Sequence, residues 1–313
     1  MRGTSTLEAL LGRVHLNSRG NRDEVIPVSD ITFESLNTAR ICGQEVAVLP
    51  SAQRLVANRL RIPITYLERC PVDLQAHNLN HWIDEEAKGR ETLFCRFSAK
   101  GLRAVFTDRY TAIDNIEVLY AMLENGVAPG QEVQFTLDES LMLVKVPHYD
   151  AMFSVAPRDR IVPGVSLGNS EVGTLAFCLE AYFYRLVCSN GLIAKTATGM
   201  SRFKHISRKA IEAFPEVLGQ VVSDSQGGKG RFMVSLQTPV VNPQESFARL
   251  NTQFRITKKQ AEAVERAWPL EEGGSMFNVI NAYTRAAQDS VLDAEESLHL
   301  ERVGGQILSM VRQ

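Results

Sequence analysis

The pattern of apolar and polar positions divides the chain into helical stretches, a run of strands, and helices again. Residues 45–85 carry apolar side chains at helical spacing, beginning with Leu55, Val56 and Leu60 after a possible cap at Ser51. Ile62-Pro63 closes that helix, because proline disfavours helix in the residue before it. Tyr66 and Leu67 mark a second turn, and Pro71-Val72-Asp73 opens a longer helix through Leu74, Leu79, Trp82 and Ile83.

The period then changes to that of strands. Thr92–Phe97 and Leu102–Phe106 flank Ser98-Ala99-Lys100-Gly101 as a hairpin, and Glu132–Leu137 and Leu141–Val146 flank Asp138-Glu139-Ser140 as another. Between them Ile113–Leu123 reads as a helix with Ile116, Leu119, Tyr120 and Leu123 on one face and Gly126 as its stop. Ile161–Leu167 and Thr174–Val187 are β-prone. Ser189-Asn190-Gly191 is a tight-turn signal leading to Ile193–Thr196. Helical character resumes from Ser207, with Pro215 as a possible restart, and fills Pro243–Leu250, Thr257–Trp268, Ser275–Ser290 and Asp293–Arg312.

This order predicts an α+β fold: a central antiparallel strand meander with a packed helix, flanked by N-terminal and C-terminal helices. The expected division is an N-terminal arm over residues 1–30, an α+β core over 31–222, a linker-like loop over 223–230 and a mostly helical region over 231–313. The arm holds one short helix, Thr6–Leu11, then loop chemistry at Asn17–Asn21 and the start of a strand at Ile26–Val28. A polar arm outside the apparent core suits contact with a neighbouring copy.

Composition narrows the class. The chain has 313 residues, 44% hydrophobic and 22% charged, enough apolar material for a core without staples. Its five cysteines have no C-x-x-C spacing, which argues against a disulfide framework and a structural zinc site. Reduced thiols and a cytoplasmic setting are expected. No apolar run nears the roughly 20 residues that span a bilayer, and Met1–Gly20 has no signal-peptide core.

No phosphate-binding loop, nucleophile elbow or dinucleotide fingerprint is present, so no catalytic residue, cofactor or metal is expected. His77 and His81 share a helix face without a glutamate at the second position, and read as surface histidines. Asp114 and Glu117 read as first-turn acids favoured by the helix dipole.

The formal net charge is −2, so a nucleic-acid site would have to be a local patch. Ala181–Ile211 offers one. It contains no acidic residue and carries Arg185, Lys195, Arg202, Lys204, His205, Arg208 and Lys209 among Tyr182, Phe183, Tyr184 and Phe203. Cations that follow a phosphate backbone beside stacking rings are what single-strand binding needs. The alternative is that Arg185 and the aromatics stabilise a half-buried strand while the lysines are solvated. Arg255, Lys258 and Lys259 form a second basic run at a helix start, where the dipole disfavours cations.

Four segments resemble one family. They are Arg54–Leu67 with its I-P-x-x-Y, Asp108–Asn115 with R-Y-x-x-I-D, Tyr184–Leu192 with R-x-V-C-x-N-G followed by His205, and Phe277–Thr284 with N-A-x-T. The match spans roughly residues 50–290 and resembles the phage/plasmid-like protein family, catalogued as a domain of unknown function. It implies a mobile-element setting and carries no catalytic residues. The expectation is therefore a single-stranded DNA-binding protein of the annealing or recombination-accessory type, self-associating into a ring or filament and without membrane contact. The rival is an interaction protein acting on a host or phage protein, and a third reading is an unrecognised enzyme.

Overall fold

A computed structural model of the chain describes residues 1–156, 159–186, 190–194, 201–203 and 228–311, with the backbone alone described over 190–194 and 201–203. The fold is α+β with antiparallel sheets. The largest has eight strands. β1 (Arg2–Thr6), β8 (Glu132–Leu137), β9 (Met142–Pro147), β11 (Asp159–Asn169), β12 (Phe177–Arg185) and β13 (Asn190–Ala194) follow one another across it. β10 (Phe153–Ala156) also pairs with β11, and β14 (Ser201–Phe203) with β12.

Alternation along these strands sorts side chains onto two faces. Phe135, Val144, Leu167 and Leu179 stand side by side on one face, in a single row of the register. They pack with Leu7, Leu10 and Val14 of α1 (Leu7–Asn17) and Val118, Leu119 and Met122 of α5 (Asn115–Glu124). Gly126, at φ +92°, ends α5 as the sequence suggests. The other face carries Leu143 and Tyr182, packed with Ala294 and Leu298 of the last helix, α10 (Ala294–Met310).

Residues 22–106 form a second core. β2 (Arg22–Pro27), β6 (Thr92–Ser98) and β7 (Gly101–Phe106) make one three-stranded sheet. β3 (Ile31–Phe33), β4 (Thr38–Ile41) and β5 (Gln44–Ala47) make another. α2 (Pro50–Arg59), α3 (Ile64–Leu67) and α4 (Val72–Gly89) pack on them through Val56, Leu67, Leu79 and Ile83. The third core joins α6 (Lys229–Gln237), α7 (Pro243–Gln253), α8 (Lys258–Glu271), α9 (Met276–Ala286) and α10 with Val155, Ile161 and Phe183 of the large sheet.

Several expectations are corrected. Residues 1–30 are not a separate arm: β1 pairs along β8, and Thr6 caps α1 by accepting the Ala9 N–H at 3.2 Å. That arm is polar because β1 is an edge strand with outward side chains, and the chain returns into the core at Leu7. Helix does not begin at residue 45, since Gln44–Ala47 is a strand. Ser51 is not a cap: Leu49 holds that position with Pro50 after it, and the Ser51 hydroxyl donates to the Arg103 carbonyl at 2.6 Å. Trp82 is exposed, and Gln75 takes the buried position instead. The Gln75 amide is satisfied by the Leu36 N–H and the Leu67 and Cys70 carbonyls. Lys229 and Gly230, expected in a linker, begin α6, while residues 223–227 lie outside the described residues. The helix expected to begin at Ser207 also lies outside them. Cys42, Cys70, Cys95 and Cys178 are free thiols, and Cys188 is outside the described residues. No helix among the described residues is long and apolar enough to cross a membrane.

Candidate functional site

The structure distributes the expected basic residues unevenly. Arg185, at the end of β12, is held by two carboxylates. Its Nε and Nη2 donate to Asp159 at 2.6–3.0 Å, and its Nη1 donates to Glu271 Oε2 at 2.7 Å. Arg285 donates to the other oxygen of Glu271 at 2.6 Å. The Arg185 guanidinium also lies 5.2 Å from the Phe277 ring centroid. Its side chain is 13% exposed, so its charge is spent joining the sheet to the helices. The alternative weighed for this residue, a half-buried structural cation, is the one its geometry fits.

Arg202 and Phe203 lie on β14, opposite Cys178 and Phe177 of β12. Lys195, Lys204, His205, Arg208 and Lys209 lie outside the described residues. Arg255 is exposed, with φ +53°, just after α7. Lys258 is exposed at the start of α8, with Glu262 at 3.9 Å. Lys259 pairs with Glu296 at 2.6 Å, which offsets the unfavourable helix end.

The motif around Asp108–Asn115 surrounds a second buried cation. Arg96 on β6 has a side chain only 2% exposed. It donates to Asp23 at 2.9 Å, to the Glu171 carbonyl at 3.2 Å and to Asp114. Burial works against its charge, yet hydrogen bonds and attraction from Asp23 and Asp114 raise its pKa. Tyr110 stacks on Phe106 at 3.7 Å, and burial pushes its hydroxyl up to about 12 against the opposing pull of Arg96. Asp114 is thus a partner of Arg96 and makes no side-chain cap to α5. Glu171 meets that helix end instead, accepting the Asn115 N–H at 2.8 Å while Arg103 holds its other oxygen. A cleft of about 320 Å³ opens beside this network, between the second core and the large sheet, lined by Arg103, Asn115 and Glu171 together with Lys100, Asp138 and Ser140.

A polar row crosses the sheet face under α10. Thr4, Gln134, Lys145, Ser166 and Glu180 occupy consecutive strands in one register. Above it, Glu301 accepts from the Lys145 ammonium, and Arg302 pairs with Glu180 at 2.6 Å while donating to Cys178 Sγ at 3.2 Å. The Lys145 Nζ sits 5.0 Å from the Tyr182 ring centroid, and the Tyr182 hydroxyl donates to Gln134 at 2.8 Å. Burial, followed by the nearby Glu301 charge, raises the Tyr182 pKa well above its ordinary value. A cleft of about 350 Å³ lies between this row and α10. Arg2 stands at its edge and donates to the Ala287, Leu292 and Asp293 carbonyls, tying β1 to the chain between α9 and α10.

No sequence motif marks Lys145, Glu180, Glu301 or Arg302. Their signal is a charge inside an apolar stretch, such as Lys145 within Met142–Val146. Such a charge is buried only when paired, and the partner is 156 positions away in sequence.

No curated protein and no solved structure matches the chain. A family model does, over residues 103–297, which runs from within β7 to the first turn of α10 and takes in Asp114 and the Arg185 network, while Arg96 and Asp23 precede it. By that match the chain belongs to the family described as a domain of unknown function (DUF932).

Proposed function

We propose that the protein binds single-stranded DNA as an annealing or recombination accessory of a phage or plasmid. The observation that carries this reading is the stretch from Ala181 to Ile211, free of acidic residues in a chain whose net charge is −2. With Arg185 committed to Asp159 and Glu271, the proposed contacts narrow to Lys195, Arg202, Lys204, Arg208 and Lys209, with Phe203 as a stacking ring. The mobile-element resemblance supports the same reading, and annealing needs neither a nucleophile nor a nucleotide. Self-association belongs to this proposal, and light scattering should return a species heavier than one 34.8 kDa chain.

A gel shift with labelled single- and double-stranded oligonucleotides over a salt series tests it. Binding to single strands should weaken with a log–log slope near −0.7 per phosphate contact. Charge reversal at Arg202 and Lys204 should flatten the slope by about one to two units in a protein that still melts normally. An unchanged slope and affinity would refute this surface as the site.

A further inference from the structure

We propose that the cleft between the large sheet and α10 is a nucleobase-binding site. Two polar groups at its wall stand side by side with opposite character. Lys145 has three N–H bonds, one of which is given to Glu301 while the ammonium lies over the Tyr182 ring. Glu301 accepts that bond through Oε1, and its Oε2 is buried without a hydrogen-bond partner among the described residues. Glu301 is 4% exposed, and an unpaired buried carboxylate oxygen is costly. The terminal torsion of a glutamate is broad, so turning the carboxylate can bring an oxygen to face the cleft. Donor beside acceptor is what the hydrogen-bonding edge of a nucleobase matches, with an N–H toward Glu301 and a ring nitrogen or carbonyl toward Lys145.

The surroundings suit the rest of such a ligand. The cleft, about 350 Å³, is large enough for one base and its sugar. Tyr184 lines it as a half-buried ring. Arg2, at the edge, spends its hydrogen bonds on carbonyls and the Ser297 hydroxyl and has no carboxylate within 4 Å among the described residues. That uncompensated charge favours a phosphate at the mouth. The site does not rest on the single-strand reading: its charged groups, Lys145, Glu301 and Arg2, lie outside Ala181–Ile211, which contributes only the Tyr182 and Tyr184 rings.

Titration calorimetry of the whole protein with the four deoxynucleoside monophosphates tests the site, with ribose 5-phosphate as the ligand lacking a base. At least one nucleotide should bind saturably, and ribose 5-phosphate should not. A short oligonucleotide that displaces the nucleotide identifies the source as a base within a strand, and one that does not identifies it as a free nucleotide. The double variant Lys145→Met/Glu301→Leu removes both charges together and should weaken binding about tenfold or more. Thr4→Trp, on the exposed edge strand, should block the cleft with the ion pair intact and serves if the double variant melts early. No saturable binding of any nucleotide up to about 10 mM, equal binding of ribose 5-phosphate, or undiminished binding in Thr4→Trp would overturn the proposal. Charge reversal at Arg202 and Lys204 should leave this binding unchanged, so the two readings fail separately.

Discussion

Arg185 is the residue at which a sequence motif and its structural use diverge most sharply. Three hydrogen bonds to Asp159 and one to Glu271 leave it little to offer a phosphate. Removing one partner of a buried pair leaves the others charged and desolvated, at a cost of about 3–5 kcal/mol. Arg185→Gln should therefore lower the melting temperature markedly, with Asp159 and Glu271 losing a shared cation. A residue that only touched DNA would leave melting unchanged and lower affinity alone. Thermal unfolding followed by circular dichroism, without DNA, separates these outcomes.

At the scale of elements, the large sheet depends on close backbone approach at its centre. Gly164 of β11 lies between β9 and β12, opposite Pro147 and Tyr182. A Cβ there would meet the Val146 carbonyl oxygen at 2.2 Å, which no side-chain rotation relieves. Gly164→Ala should force the strands apart and cost about 3 kcal/mol, the upper end for overpacking, read as a shift of the denaturation midpoint. The edge strand β1 gives a second test. It pairs with β8 over five register positions, and Arg2 anchors it to three carbonyls between α9 and α10. Deleting Met1–Thr6 should speed amide exchange in Glu132–Leu137 and lower the melting temperature. A disposable arm would change neither.

Across the whole molecule, two half-buried histidines, His148 and His299, link stability to pH. Burial lowers the pKa of His148, and burial together with the nearby Arg302 charge outweighs a backbone hydrogen bond to lower that of His299. A group whose folded pKa is depressed in this way binds its proton more weakly folded than unfolded. Its stability contribution is complete above the unfolded value of about 6.5 and falls as pH drops below it. Melting temperature should hold from pH 8 to about 6.5 and decline from there toward pH 5, before most paired carboxylates protonate. His299→Asn should shallow that decline. An equally steep profile in the variant would assign the loss to other groups.

What the sequence alone determined was local. Alternation in Glu132–Leu137, the apolar run in Met142–Pro147, the stop at Gly126 and the helical period of α8 are short-range consequences of backbone geometry and apolar spacing, and both hairpins and the α+β class follow from them. Tertiary structure decided the rest. β1 looks like a polar tail because its pairing comes from β8, a strand some 130 residues later, and edge strands carry outward polar side chains. Gln75 shares the buried face of Leu79 and Ile83, and its amide is tolerated there because three separate backbone groups satisfy it, which the residue type alone does not signal. The charges that define the two clefts, Lys145 with Glu301 and Arg103 with Glu171, are 156 and 68 positions apart. A buried charge is tolerated only beside its partner, and that proximity is a property of the folded chain.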